Sequence, residues 1–128
     1  MSSTIRSYFL FAALYTILAI GLGAFGAHTL RDYMTDLGTY DTASSYHFYA
    51  CFLLFAFALV EQTTSASMKW AYRLMAIGSI LFSGTVYGLA FRDDLPQSII
   101  SILGPLTPIG GTVMIISLVA FAQAIRKK

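Results

Sequence analysis

Residues 7–30, SYFLFAALYTILAIGLGAFGAHTL, run for twenty-four positions without one Asp, Glu, Lys or Arg. A helix crosses about 30 Å of hydrocarbon with about 20 mostly apolar residues, so this run is long enough to span a bilayer. Three more uncharged runs follow, at residues 42–60, 74–91 and 99–125. The chain has 128 residues, 57% hydrophobic and 11% charged. One soluble core of that size does not hide so much apolar surface, so lipid covers part of it. The expected fold is all-α: a polytopic membrane protein, residues 1–128 forming a single antiparallel four-helix transmembrane bundle. Short loops make sequential helices antiparallel neighbours. The first run exceeds the 7–15 residues of a secretory signal core and reads as a retained helix.

Charge sets the threading. With four spans, both termini and the middle loop share one side, which carries Arg6, Lys69, Arg73, Arg126, Lys127 and Lys128 against Arg31 and Arg92 on the other. Basic residues stay cytoplasmic, so both termini are expected in the cytoplasm. The net charge of +2 comes from scattered helix-end residues, not from a patch that would hold nucleic acid. Membrane lipids, other membrane proteins and a second copy of the chain are the expected partners.

The fourth run contains Gly104-Pro105-Leu106-Thr107-Pro108-Ile109-Gly110-Gly111. Interior prolines remove backbone donors and clash with the preceding turn. The expectation is an interrupted region before helix 4, with Thr107 as N-cap and Pro108 as first helical residue. The alternative is one long kinked helix. Helices associate in lipid through close approach at small residues. Ala19, Gly23 and Ala27 on helix 1 and Gly84 and Gly88 on helix 3 form two such stripes, read as packing helix 1 on helix 3 or as a contact between copies.

Chemistry-bearing groups are few. His28 ends the first run and His47 begins the second, with Cys51 one turn below on the same face. Metal or haem ligation by so small a set is a minor alternative. The default is hydrogen bonding by the histidines, with no cofactor, no metal and no catalytic residues. The lone Cys51 excludes an intrachain disulfide. Gly21–Gly26 matches GxGxxG, but inside a span with no preceding strand the dinucleotide reading fails.

The runs Gly21-Leu22-Gly23-Ala24-Phe25-Gly26-Ala27-His28, Leu81-Phe82-Ser83-Gly84-Thr85-Val86-Tyr87 and Thr107-Pro108-Ile109-Gly110-Gly111 occur in this order. Together they resemble the domain of unknown function 423 family, the YgdD/YwdK-like small membrane proteins related to transmembrane protein 256 of animals. The resemblance covers nearly the whole chain and implies a four-helix integral protein, in bacteria of the plasma (inner) membrane, with no established catalytic residues. Members typically read Tyr-Gln-x-Tyr/Phe-His at the start of helix 2. Here Tyr46-His47-Phe48-Tyr49-Ala50 moves the imidazole by three positions. The candidate functional surface is His28, Tyr46, His47, Tyr87, Thr107, Pro108, Gly110 and Gly111, on the side opposite the termini. The function expected is a non-enzymatic accessory, assembly or structural component. The alternatives are an oligomeric transporter of a small neutral or lipophilic solute and a quinone- or haem-binding redox subunit.

Overall fold

The computed structural model describes residues 1–34 and 36–127. Four long helices carry the chain: α1 (Ser3–His28), α2 (Gly38–Thr63), α3 (Lys69–Ala90) and α4 (Gln97–Arg126). All four are long and apolar enough to cross a membrane. Short 3-10 turns, Leu30–Asp32 and Arg92–Asp94, complete two of the links.

Local chemistry explains the ends. The Ser2 hydroxyl accepts from the Ile5 amide at 3.2 Å and starts α1, using one of the donors a helix N-terminus leaves unpaired. Asp36 accepts from the Gly38 amide at 2.8 Å where α2 begins. Glu61, the one acid on the side of the termini, accepts from the Met68 amide at 2.7 Å and closes the turn into α3. Arg6, Lys69, Arg73, Arg126 and Lys127 are exposed at the end that carries the termini, and Arg31 and Arg92 at the other. Lys128 lies outside the described residues.

The helices form an antiparallel bundle around a central α2–α3 pair. α1 lies against α2 and reaches α3 through Tyr8, whose ring stacks on Tyr72 at 4.0 Å. α4 lies against α3 and reaches α2 through Phe121, stacked on Phe57 at 4.8 Å. Leu54, Phe57, Met68 and Met75 fill the centre.

α4 corrects the expectation of an interruption. It runs unbroken for 30 residues with Pro105 and Pro108 inside it, so Thr107 is not an N-cap and Pro108 is not a first helical residue. In lipid, leaving the helix exposes a whole turn of backbone polar groups, whereas each proline forfeits a single donor. Hydroxyls also turn back to carbonyls along this stretch: Ser101 to Ser98, Thr107 to Leu103 and Thr112 to Pro108, at 2.8–3.1 Å.

The small-residue stripes are corrected as well. The tightest backbone approach joins α3 and α4, not α1 and α3. A methyl group on Gly78 would stand 2.8 Å from the Met114 amide nitrogen, and one on Gly110 only 2.5 Å from that of Phe82. Gly84 has nothing within 4 Å of where its Cβ would lie, and Ala27 is exposed. Ala19 is buried, Gly23 makes ordinary contact with Ser44 and Phe48 of α2, and Gly88 meets Leu103 of α4. The α1 stripe therefore serves α2, because aromatic Tyr8 and Tyr15 fill the space towards α3. The α3–α4 seam has its own repeat: Leu103, Thr107, Gly110, Met114 and Ser117 alternate spacings of four and three, the period of helices packed side by side. They face Gly88, Thr85, Gly78 and Ala71. With Leu103 level with Gly88 and Ser117 level with Ala71, the 30-residue α4 overhangs the 22-residue α3 at both ends.

Candidate functional site

Hydroxyls tie the helices together. Tyr72 donates to the Tyr8 carbonyl at 2.5 Å, Ser117 to Ala71 at 2.6 Å and Tyr40 to Leu22 at 2.6 Å. Thr85 and Thr107 meet hydroxyl to hydroxyl at 2.8 Å across the α3–α4 seam. In hydrocarbon a polar side chain needs such a partner, and the sequence supplies one at nearly every contact between helices.

His47 departs from that pattern. It is 2% exposed. Its Nδ1 lies 3.3 Å from the Tyr87 hydroxyl, and the Tyr15 ring crosses it at 4.1 Å between centroids, tilted by 45°. Its Nε2 has no protein partner, and neither has the hydroxyl of Ser83, which is 1% exposed. Among the described residues these are the two buried side-chain polar atoms left unpaired. The tautomer decides what Nε2 offers. Tyr87 donating into Nδ1 leaves Nε2–H a donor, and the reverse leaves Nε2 an acceptor.

Both residues line one cleft of about 360 Å³ between α1 and α3. It exists because α1 packs on α2 and stands away from the upper part of α3. Leu18 and Leu22 of α1 and Ile80 and Gly84 of α3 form its apolar walls, with Tyr15 and Tyr87 beside His47. Leu18 and Ile80, 52% and 51% exposed, flank the mouth on the lipid side. A larger hollow of about 520 Å³ lies at the termini, among Ser65, Ser67, Trp70, Gln123 and Lys127. Neither unpaired buried atom faces it.

The expected surface is brought together only in part. His47 and Tyr87 meet. Tyr46 packs its ring on Phe82 at 4.8 Å, and Phe82 in turn covers Gly111. Thr107 pairs with Thr85, not with Tyr87, and Gly110 is sealed against Gly78 and Phe82 as a packing residue. Pro108 is exposed. His28 is exposed at the end of α1 and shares none of the contacts of His47, because α1 carries it past the start of the cleft. Among the described residues, no three His, Cys, Asp or Glu side chains cluster as metal ligands would. Ala50, one turn along α2 from His47, is also fully buried.

Sequence reasoning passed over Tyr15 and Ser83 as site residues and Gly78 as a packing residue. The signal for Gly78 was legible: Ala71, Gly78 and Thr85 recur every seven residues. For Ser83 there was none, since one hydroxyl in a span reads like any other.

The family described as "Protein of unknown function (DUF423)" matches residues 22–111, from the end of α1 to the middle of α4. The chain belongs to the DUF423 family. A UPF0382 membrane protein of Staphylococcus epidermidis is 36% identical over 113 residues, 87% of this chain and 88% of the relative. The UPF0382 membrane protein YwdK of Bacillus subtilis is 37% identical over 123 residues, 93% and 95% of the two chains. One from Schizosaccharomyces pombe is 41% identical over 109 residues, 81% and 88%. No solved structure matches. The matched DUF423 region contains His47, Ser83, Tyr87 and the seam glycines Gly78 and Gly110.

Proposed function

We propose that this DUF423 protein is a non-catalytic component of the plasma membrane, threaded with both termini in the cytoplasm, that serves as an accessory, assembly or structural partner of other membrane proteins. One observation carries this reading: four hydroxyl contacts, made by Tyr40, Tyr72, Ser117 and the Thr85–Thr107 pair, run between neighbouring helices. They hold helices at fixed separations and do not converge on a point where a substrate would react, as a catalytic constellation must. The uncharged runs 7–30, 42–60, 74–91 and 99–125 at the centre of the helices also carry no Asp, Glu, Lys or Arg, the side chains on which proton-coupled carriers rely. The excess of basic residues at the termini and middle loop supports the orientation.

Cross-linking in intact membranes, followed by purification in mild detergent, tests the reading. The expected result is a discrete larger species containing this chain and a second membrane protein or a second copy. Recovery of the uncross-linked monomer alone at every cross-linker concentration contradicts it.

A further inference from the structure

We propose that the hollow between the α2–α3 turn and the last turns of α4 binds the headgroup of an anionic phospholipid, with its phosphate at Lys127 and its glycerol esters over a floor of alanines. The proposal is independent of the accessory role. The hollow measures about 520 Å³, within the range of small-molecule sites. Buried Ala66 and Ala71 and half-buried Ala120 and Ala124 form its floor. Four short side chains thus leave space open where α3 begins and α4 ends. The rim is exposed and polar: Ser65, Ser67, Gln123 and Lys127, with the Trp70 ring beside them.

α4 sets how this site lies in the membrane. Ala120, Gln123, Ala124 and Lys127 share one face of the helix, because positions three, four and seven apart fall on one stripe. The row is about 10 Å long at 1.5 Å per residue. Ala120 lies inside the uncharged run 99–125 and Lys127 beyond it. The headgroup layer adds about 5–8 Å on each side of the hydrocarbon, so the row crosses it. It is apolar at the depth of the acyl esters and cationic at the depth of the phosphate. A free anion has no use for the apolar part, whereas a phospholipid matches both.

Charge selects the headgroup. Arg126 borders an adjoining hollow together with Gln123 and Lys127, and the Lys69 ammonium stands 5.9 Å from the centre of the Trp70 ring. Cations therefore flank the rim from α3 and α4. Glu61, the acid at this end, stays out of the hollow and accepts from the Met68 amide. The Ser65 and Ser67 hydroxyls are further donors for phosphate oxygens. Basic pockets between membrane helices take anionic headgroups, and each Lys or Arg near the surface contributes about fivefold in affinity.

The chain has one tryptophan, and it lines the hollow, so Trp70 fluorescence reports the occupant. The full chain is reconstituted in phosphatidylcholine vesicles. A rising fraction of phosphatidylglycerol or phosphatidylcholine, each brominated high on its chains, is then introduced, since bromine quenches an indole it touches. The expected result is saturable quenching by brominated phosphatidylglycerol at a several-fold lower mole fraction than by brominated phosphatidylcholine. Lys127→Gln should weaken that preference about fivefold. Arg73→Gln removes the same charge on the face of α3 turned to Tyr8 and Phe11 and should leave the preference unchanged. Both side chains are exposed, so both variants keep the fold. Equal quenching by the two lipids overturns the proposal. An equal loss in the two variants also overturns it, by showing diffuse attraction to the basic end. Release of the quenching by inorganic phosphate at constant ionic strength assigns the hollow to a free anion and overturns the lipid.

Discussion

Tyr72 joins residues 64 apart in sequence through one hydroxyl donated to the Tyr8 carbonyl, while its ring stacks on Tyr8. The two roles separate by substitution. Tyr72→Phe keeps the stack and loses one hydrogen bond, and helix–helix bonds of this kind average about 0.6 kcal/mol in membranes. Tyr72→Ala also removes a ring from the core, which costs about 3–5 kcal/mol in well-packed interiors. Thermal unfolding in detergent should therefore show a small drop for Phe and a large one for Ala. Equal drops would mean that the hydroxyl, not the ring, carries the α1–α3 contact. His47 shows the same arrangement at a second place: its Nδ1 lies 3.3 Å from the Tyr87 hydroxyl and joins α2 to α3.

At the scale of elements, α4 is the instructive helix. Its seam with α3 depends on Gly78 and Gly110, where an added methyl group would meet backbone atoms that cannot step aside. Gly78→Ala and Gly110→Ala should each destabilise the protein by about 1–3 kcal/mol, the usual cost of overpacking. Gly84→Ala should be neutral or slightly stabilising, because it gains helix propensity and touches nothing. The order of the three unfolding midpoints checks this, and a Gly84→Ala midpoint below the other two would reverse the assignment of the seam. Pro108→Ala should leave the helical circular dichroism signal unchanged, since the helix already passes through this point. A gain of a turn or more would restore the break. The four spans and the positions of the charges were legible in the sequence because each depends on a local run of residues. The course of α4 was not, because two prolines and three glycines in eight residues read locally as a break, while in lipid the alternative to helix exposes more backbone than the prolines do. The pairing of His47 with Tyr87 was half legible: both residues were singled out, but the spacing along two separate helices does not say which faces turn towards each other.

For the whole molecule, orientation is the first quantity to measure. A reporter active only outside the cytoplasm should be silent when fused to the C-terminus and active when inserted near Asp93, because the basic residues gather at the termini and middle loop. The opposite pattern would invert the protein. The bundle is also uneven. α1 stands apart from α3 above Tyr15, which opens the cleft, and α4 overhangs α3 at both ends. That overhang has a consequence for the surrounding bilayer. The uncharged run 99–125 is about 40 Å long at 1.5 Å per residue, against about 30 Å of hydrocarbon. The uncharged run of α3, residues 74–91, is about 27 Å by the same measure. One seam thus binds a helix too long for the membrane to one that barely spans it. Neither helix can tilt without carrying the other, so the lipid around α4 must thicken or the pair must lean together. Hydrophobic mismatch of this kind costs fractions of a kcal/mol per ångström and sorts proteins among membranes. It makes bilayer thickness a variable that this fold registers along one side only.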